Sequence, residues 1–216
     1  MSEYGQTVRP TMVHHGDMPQ PIRSPRPTPA IVYCHSDTPL GVVLLTSSDG
    51  ALSGLYFTDR RHSPRLDPSW THDSAPFAEV RRQLDEYFEG RRTSFDQPLA
   101  LRGSRFDRAV WTSLQSIPHG MTVSYGQIAR RIGQPQAARA VGAANGRNPV
   151  SVIVPCHRVI GSDGKLGGYG WGVERKAWLL EHERAMSDGQ TRFIAGPAGW
   201  SSVTAEHIQA ASAPSR

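Results

Sequence analysis

Cys156, His157 and Arg158 stand side by side behind Pro155, and this short stretch holds the densest chemistry in the chain. A thiol buried among apolar groups is inert, because burial disfavours the thiolate. It becomes a nucleophile when a base or a positive charge lies beside it, and here both follow directly. Residues adjacent on a strand point to opposite faces, so contact between Cys156 and His157 requires a bend, which Pro155 and a strand-to-loop change would supply. A third group must then orient the imidazole, and Glu183 is the candidate. As a bare dipeptide, the pair reads first as a buried structural cysteine beside a surface histidine, and only second as a nucleophile with its base.

The elements around this stretch decide what it can do. The chain has 216 residues, enough for one large domain or two small ones. Hydrophobic residues make up 38% and charged residues 20%, the balance of a soluble globular chain. No apolar run approaches the ~20 residues that span a bilayer, and the polar, proline-rich start lacks the apolar stretch of a secretory signal. The expectation is a cytoplasmic protein without membrane contact. Two cysteines exclude a disulfide scaffold and any four-cysteine metal site. The net charge is +5, and every basic residue except Lys165 and Lys176 is arginine, which permits a polyanionic partner.

Residues 1–29 read as a disordered arm and 187–216 as a flexible tail. Between them, 30–95 opens with three short apolar runs, Ala30–Cys34, Gly41–Thr46 and Leu52–Thr58, separated by Asp37-Thr38-Pro39 and Ser48-Asp49-Gly50. That pattern predicts an antiparallel meander. Phe77, Val80, Leu84 and Phe88 then give one apolar face of a helix over about 76–89. A connection follows at 96–103.

The block 104–186 begins with a helix whose face is Phe106, Val110, Trp111 and Leu114. Ser124 and Gln127 have the spacing of a capping box, Gly133 ends that helix, and Pro135 is expected in the first turn of the next. Two short helices around a tight glycine turn fit a helix-turn-helix and fit an ordinary helical hairpin equally well. The second of them carries almost only small side chains, with Arg139 its one long arm. Val150–Val154 is a β-branched run that leads into the cysteine. A glycine-rich loop, 161–172, and a last helix from Val173 to about Arg184 follow.

Asn148-Pro149, Pro155-Cys156-His157-Arg158-Val159 and Gly168-Tyr169, in that order, resemble the active-site signature of the 6-O-alkylguanine-DNA alkyltransferases. The resemblance spans about residues 30–186 and is strongest from Phe106 to Glu183. It includes Arg175-Lys176 and Trp178-Leu179-Leu180 of the last helix, and Asp37-Thr38-Pro39-Leu40-Gly41 near the start. It implies an α+β fold: a small antiparallel sheet with a helix, ribonuclease-H-like, then a helical, winged-helix-like domain with a helix-turn-helix and the active-site cysteine.

The resemblance also implies a reaction. An alkyl group moves from the 6-oxygen of guanine, or the 4-oxygen of thymine, to the protein's own cysteine, once per molecule and without a cofactor. Thiolate is the side chain best suited to attack a saturated carbon. Cys156 would accept the group, His157 would take its proton through water, and Glu183 would stabilise the imidazolium. Tyr125 would donate a hydrogen bond to guanine, and Asn148 would brace the turn. Val159, Tyr169, Gly170 and Trp171 would line the pocket. The target base must leave the stack, so Ala138, Arg139, Ala140 and Gly142 would meet the DNA, with Arg139 filling the vacated place. The implied partner is double-stranded DNA carrying alkylated guanine, met by a monomer. Taken singly, Tyr125 is equally a core aromatic, and Glu183 a solvated helix-end carboxylate.

The chain departs from the family in two places. Many relatives read Gly-Tyr-x-Gly-Gly, whereas this chain has Gly168-Tyr169-Gly170-Trp171-Gly172, and Gly170 stands where some members have serine. His14, His15, Cys34 and His35 are the candidate ligands for a structural zinc, but two of them lie in the arm read as disordered, so no metal is expected. Two other readings compete. A damage-binding relative without transfer would lack the cysteine. A cysteine hydrolase would turn over many times.

Overall fold

The computed structural model describes residues 30–59 and 63–187, and the backbone of two further strands at 191–196 and 199–204. The expected arm at 1–29, with His14 and His15, lies outside the described residues.

Strands β1 (Ile31–Ser36), β2 (Val43–Ser48) and β3 (Ala51–Phe57) form the expected antiparallel meander. A turn with Pro39 at its second position links β1 to β2, closed by Gly41 N–H donating to Thr38 O at 3.0 Å. Between β2 and β3, Asp49 (φ 55°) and Gly50 (φ 76°) form a two-residue hairpin loop. Both occupy the left-handed region, where aspartate and glycine are the least strained residues. A short fourth strand, β4 (Thr71–His72), joins β1 in parallel, giving the order β3-β2-β1-β4. All six residues of β2 are buried, so both faces of the sheet are covered there.

A single 3-10 turn, Ala75–Phe77, leads into α1 (Ala78–Phe88). Phe77, Val80, Leu84 and Phe88 are buried as their spacing predicts, and Tyr87 joins them at 0% exposure. Each large apolar side chain contributes about 1.5–3 kcal/mol by leaving water. The same hydrophobic cluster continues through Val110, Trp111 and Leu114 into the second block, so one core runs through both.

The connection does more than link. Leu52 donates to Pro98 O at 2.9 Å and accepts from Ala100 N–H at 2.8 Å, so 98–100 borders the free edge of β3. Further along that edge, Leu55 N–H donates to Pro149 O at 2.9 Å and Leu55 O accepts from Ser151 N–H at 3.3 Å. The segment that carries the cysteine is thereby pinned to the N-terminal sheet.

Helix α2 (Arg105–Gln115) is capped by Ser104, whose hydroxyl accepts from Asp107 N–H at 3.1 Å. Strand β5 (Val123–Ser124) leads into α3 (Tyr125–Arg131), and the Ser124–Gln127 capping box is present in both directions. Gly133 (φ 73°) ends that helix. Helix α4 (Ala138–Gly146) packs on α2 and α3, completing the helix-turn-helix. Pro135 is not in its first turn, however. It lies in a separate turn, closed by Ala137 N–H on Gln134 O at 2.9 Å, and α4 starts only after it. Proline at the second position of such a turn is already in its preferred φ.

Val150–Val154 is not a strand beyond its bridge to Leu55. It folds back on itself through Val154 N–H to Val150 O at 2.9 Å and Ile153 N–H to Ser151 O at 2.8 Å, with Val152 at φ 70°. A β-branched residue in that region is strained, and the local bonds described below hold it there. Cys156–Arg158 form a 3-10 turn, then β6 (Val159–Ile160) pairs in parallel with β5. Helix α5 (Val173–Ser187) runs to the start of the expected tail. Within the expected tail, strands β7 (Thr191–Gly196) and β8 (Gly199–Thr204) pair antiparallel. Both are rich in β-branched and aromatic residues, which outweighs the local Ala, Ser and Gly content.

Candidate active site

Three local devices hold Cys156. The side-chain amide of Asn148 donates to Val154 O at 2.8 Å and to Cys156 Sγ at 3.0 Å, while its own oxygen accepts from Val150 N–H at 3.1 Å. Asn148 therefore closes the strained turn and touches the thiol. Asn145, on the buried face of α4, donates to Cys156 O at 3.1 Å and ties the cysteine directly to that helix. Tyr169, from the glycine-rich loop, has its hydroxyl 3.9 Å from Sγ.

The thiol is 2% exposed, and burial pushes its pKa up. Hydrogen bonding from Asn148, Tyr169 and Ser151 and the charge of Lys176 act the other way. The resting group is therefore a neutral thiol set among donors that favour its anion.

His157 is fully buried, and burial holds its pKa below the usual histidine range despite the carboxylate beside it. Its Nε2 lies 2.9 Å from Glu183 Oε1. An ionised carboxylate can only accept, so Nε2 carries the hydrogen and Nδ1 is left as the basic nitrogen. Nδ1 is buried without a protein partner among the described residues.

Glu183 is not solvated at a helix end; it is 0% exposed. Arg158 grips it through Nε to Oε2 at 2.9 Å and Nη2 to Oε1 at 2.8 Å, and Gly120 N–H adds a bond to Oε2 at 3.0 Å. Burial opposes its ionisation, but the donors on His157 and Arg158 outweigh that and hold its pKa well below the carboxylate range. Removing one partner from such a buried pair typically costs about 3–5 kcal/mol.

Tyr125 opens α3 and is half-buried, with Lys176 Nζ 5.9 Å from its ring centre. A β-carbon built on Gly142 would meet its ring at 3.8 Å, and one on Gly167 would meet its hydroxyl at 3.5 Å. The phenol thus lies between α4 and the glycine-rich loop. Lys176 is fully buried and donates to Val159 O at 2.6 Å and to Leu166 O, closing that loop onto β6. Burial brings its pKa down to about 8.

Val159 is buried and Gly170 half-buried. A β-carbon on Gly170 would meet only Gly146 O, at 3.5 Å, so the fold has room for the serine that some relatives carry there. Trp171 departs from the expectation that it lines the pocket. Its ring packs 5.9 Å from Phe57 and 6.1 Å from Tyr56, and its indole N–H donates to Ser151 Oγ. A buried indole needs both an apolar bed and an acceptor, and the sheet and Ser151 supply them. Ser151, which accepts from the indole, also bonds toward the thiol of Cys156.

On α4, Val141, Ala144 and Asn145 face inward. Arg139, Ala143 and Gly146 are exposed, with Gly142 partly so, and their spacing puts them on one face. Ala140 is exposed and Ala138 partly exposed beside that face. The result is a smooth surface with a single long cation. Sequence reasoning missed Ala143 and Gly146 here, although the three-and-four spacing from Arg139 could have found them. It also missed Tyr87, Asn145, Ser151 and Lys176, whose contacts with the site are long-range or depend on the unexpected turn.

Two family descriptions match the chain. The ribonuclease-like domain of 6-O-methylguanine DNA methyltransferase matches residues 31–101, and the DNA binding domain of the same family matches 105–185. A methylated-DNA–protein-cysteine methyltransferase of Mycolicibacterium paratuberculosis is 50% identical over 157 residues, covering 73% of this chain and 94% of the relative. One from Methanosarcina acetivorans is 44% identical over 151 residues, covering 70% and 97%. The crystal structure of Mycobacterium tuberculosis OGT in complex with DNA aligns with a TM-score of 0.69 at 47% identity, covering 72% of this chain and 94% of that one.

Proposed function

Since the chain belongs to the methylated-DNA–protein-cysteine methyltransferase family, we propose that Cys156 is the acceptor through which it repairs alkylated DNA by direct reversal. The observation that carries the reading is the order of contacts at His157. Nε2 is committed to Glu183 at 2.9 Å, which leaves Nδ1 as the nitrogen that can take a proton, on the residue that follows the buried Cys156.

The reaction then runs as follows. His157 Nδ1 takes the thiol proton, through water. Sulfur attacks the alkyl carbon and the carbon–oxygen bond breaks. Its electron pair stays on guanine, and the proton that His157 took from the thiol is returned through water to the guanine ring. Tyr125 donates a hydrogen bond as charge develops there, an interaction that strengthens in the transition state. Asn148 and Tyr169 support the forming thiolate. A thioether results, and no group in the site reverses it, so each molecule acts once. The 6-oxygen of guanine is the main donor, with the 4-oxygen of thymine a second.

The smooth face of α4 suits close approach to a duplex, and Arg139 suits the place left by the flipped base. A monomer in the cytoplasm, free of membrane, belongs to the same proposal; no helix among the described residues is long and apolar enough to cross a membrane. A purely damage-binding role is not favoured, because it gives Cys156 and its base no task. The test is a progress curve on duplex DNA carrying methylated guanine. Loss of lesion should stop at one equivalent of protein; continued turnover would overturn the proposal.

A further inference from the structure

One buried polar group at the site comes from the N-terminal block. Tyr87, in the last turn of α1, is 0% exposed, and its hydroxyl donates to Glu183 Oε1 at 2.9 Å. The same oxygen faces His157 Nε2 at 2.9 Å and Arg158 Nη2 at 2.8 Å. Arg158 Nε adds a longer contact at 3.2 Å; a carboxylate oxygen offers two lone pairs, so four donor atoms from three residues share its charge. What the phenol draws, the imidazole loses.

We infer that Tyr87 is a positioning residue of the transfer reaction: its hydroxyl holds Glu183 in place and limits how much of the carboxylate's charge reaches His157 when the imidazole takes the thiol proton. This rests on the proposed role of His157 as the base. The consequence is an imidazole that is easily left neutral and ready to accept. Among the described residues, the charged and titratable groups around His157 are Glu183, Lys176 and His182 from α5, His119 from the loop before β5 and Arg158 from its own segment, with Tyr87 of α1 reaching it through Glu183. Only Tyr87 among them donates to Glu183 from the N-terminal block, so that block takes part in setting the chemistry as well as in packing.

The rest of the Tyr87 side chain has a packing role that is separable from its hydroxyl. The ring lies 5.2–5.4 Å from those of Phe88, Phe95 and His182. Tyr87→Phe keeps that packing and removes only the donor.

The experiment measures the rate of methyl transfer to Cys156 against pH for the full-length wild type and Tyr87→Phe. Removing the competing donor strengthens the hold of Glu183 on the protonated imidazole. The acid limb of the profile should therefore move to higher pH by about half a unit, roughly a threefold slower reaction at a fixed acidic pH. DNA affinity should not change. A profile that superimposes on the wild type, even with a lower melting temperature, would overturn the inference. A ring-fluorinated tyrosine at position 87 is the second variant. It keeps the packing and donates more strongly, so the acid limb should move to lower pH; no shift, or an upward one, would overturn the inference. If the wild type itself does not methylate Cys156, the reaction assignment fails and this inference with it. A wild type that reacts normally beside an unshifted Tyr87→Phe overturns the inference about Tyr87 alone.

Discussion

The side-chain amide of Asn148 spans the turn before the nucleophile and ends 3.0 Å from Cys156 Sγ. One residue thus stabilises the left-handed Val152 and presents a donor to the reacting atom. Asn148→Ala would leave Val150 N–H unsatisfied in a buried place and take from Val154 O one of its two donors, the other being Cys156 N–H at 2.8 Å. We expect a loss of about 2–4 kcal/mol in stability and transfer slowed by at least about tenfold. Chemical denaturation and single-turnover rates check both. Unchanged values would mean that the turn holds without its brace.

Arg139→Ala should separate base flipping from chemistry. The arginine is exposed on a face of small residues, whereas the His157–Glu183 pair is fully buried. Transfer from duplex DNA should slow by about tenfold or more, because an extruded base loses the group that fills its place. Alkylation by a free guanine derivative should change little. Equal losses on both substrates would assign Arg139 a different role.

Stability should fall with acid in two stages. Burial pushes the pKa values of His119, His157 and His182 below the ordinary histidine value of 6.5. The unfolded chain binds those protons more readily, so the histidine contribution is complete above 6.5 and is lost as pH falls from there through the depressed folded values. Glu183 contributes fully above its ordinary value of 4.5, and that contribution is lost as pH falls through its much lower folded value. Urea denaturation at about pH 7.5 and about pH 5 should differ by more than about 1 kcal/mol, with the acidic sample the weaker. Equal stabilities would show that these histidines titrate as in the unfolded chain.

What could be read from sequence was mostly local. The Asp49-Gly50 hairpin, the Ser124–Gln127 capping box and the apolar face of α1 follow from backbone chemistry within a few residues. The order of Asn148, Cys156, His157 and Tyr169 was legible through the family resemblance. The turn at Val150–Val154 was not, because β-branched composition favours a strand while a single asparagine side chain enforces the fold-back. Tyr87 and Glu183 are 96 positions apart, and no periodicity predicts which phenol meets which carboxylate. The resemblance puts Trp171 in the pocket by its place in the motif; that its ring packs near Phe57 of β3 and its indole N–H bonds Ser151 depends on long-range contacts that the motif does not carry.

The central claim is that Cys156 itself carries away the alkyl group. The direct measurement is the intact mass of the protein after reaction with methylated duplex DNA, followed by peptide mapping, with Cys156→Ser alongside. The account predicts a single added methyl group on the peptide containing Cys156. It predicts no mass gain for Cys156→Ser, which should still bind the duplex. A methyl group found on Cys34, or a full gain of mass in Cys156→Ser, would contradict it.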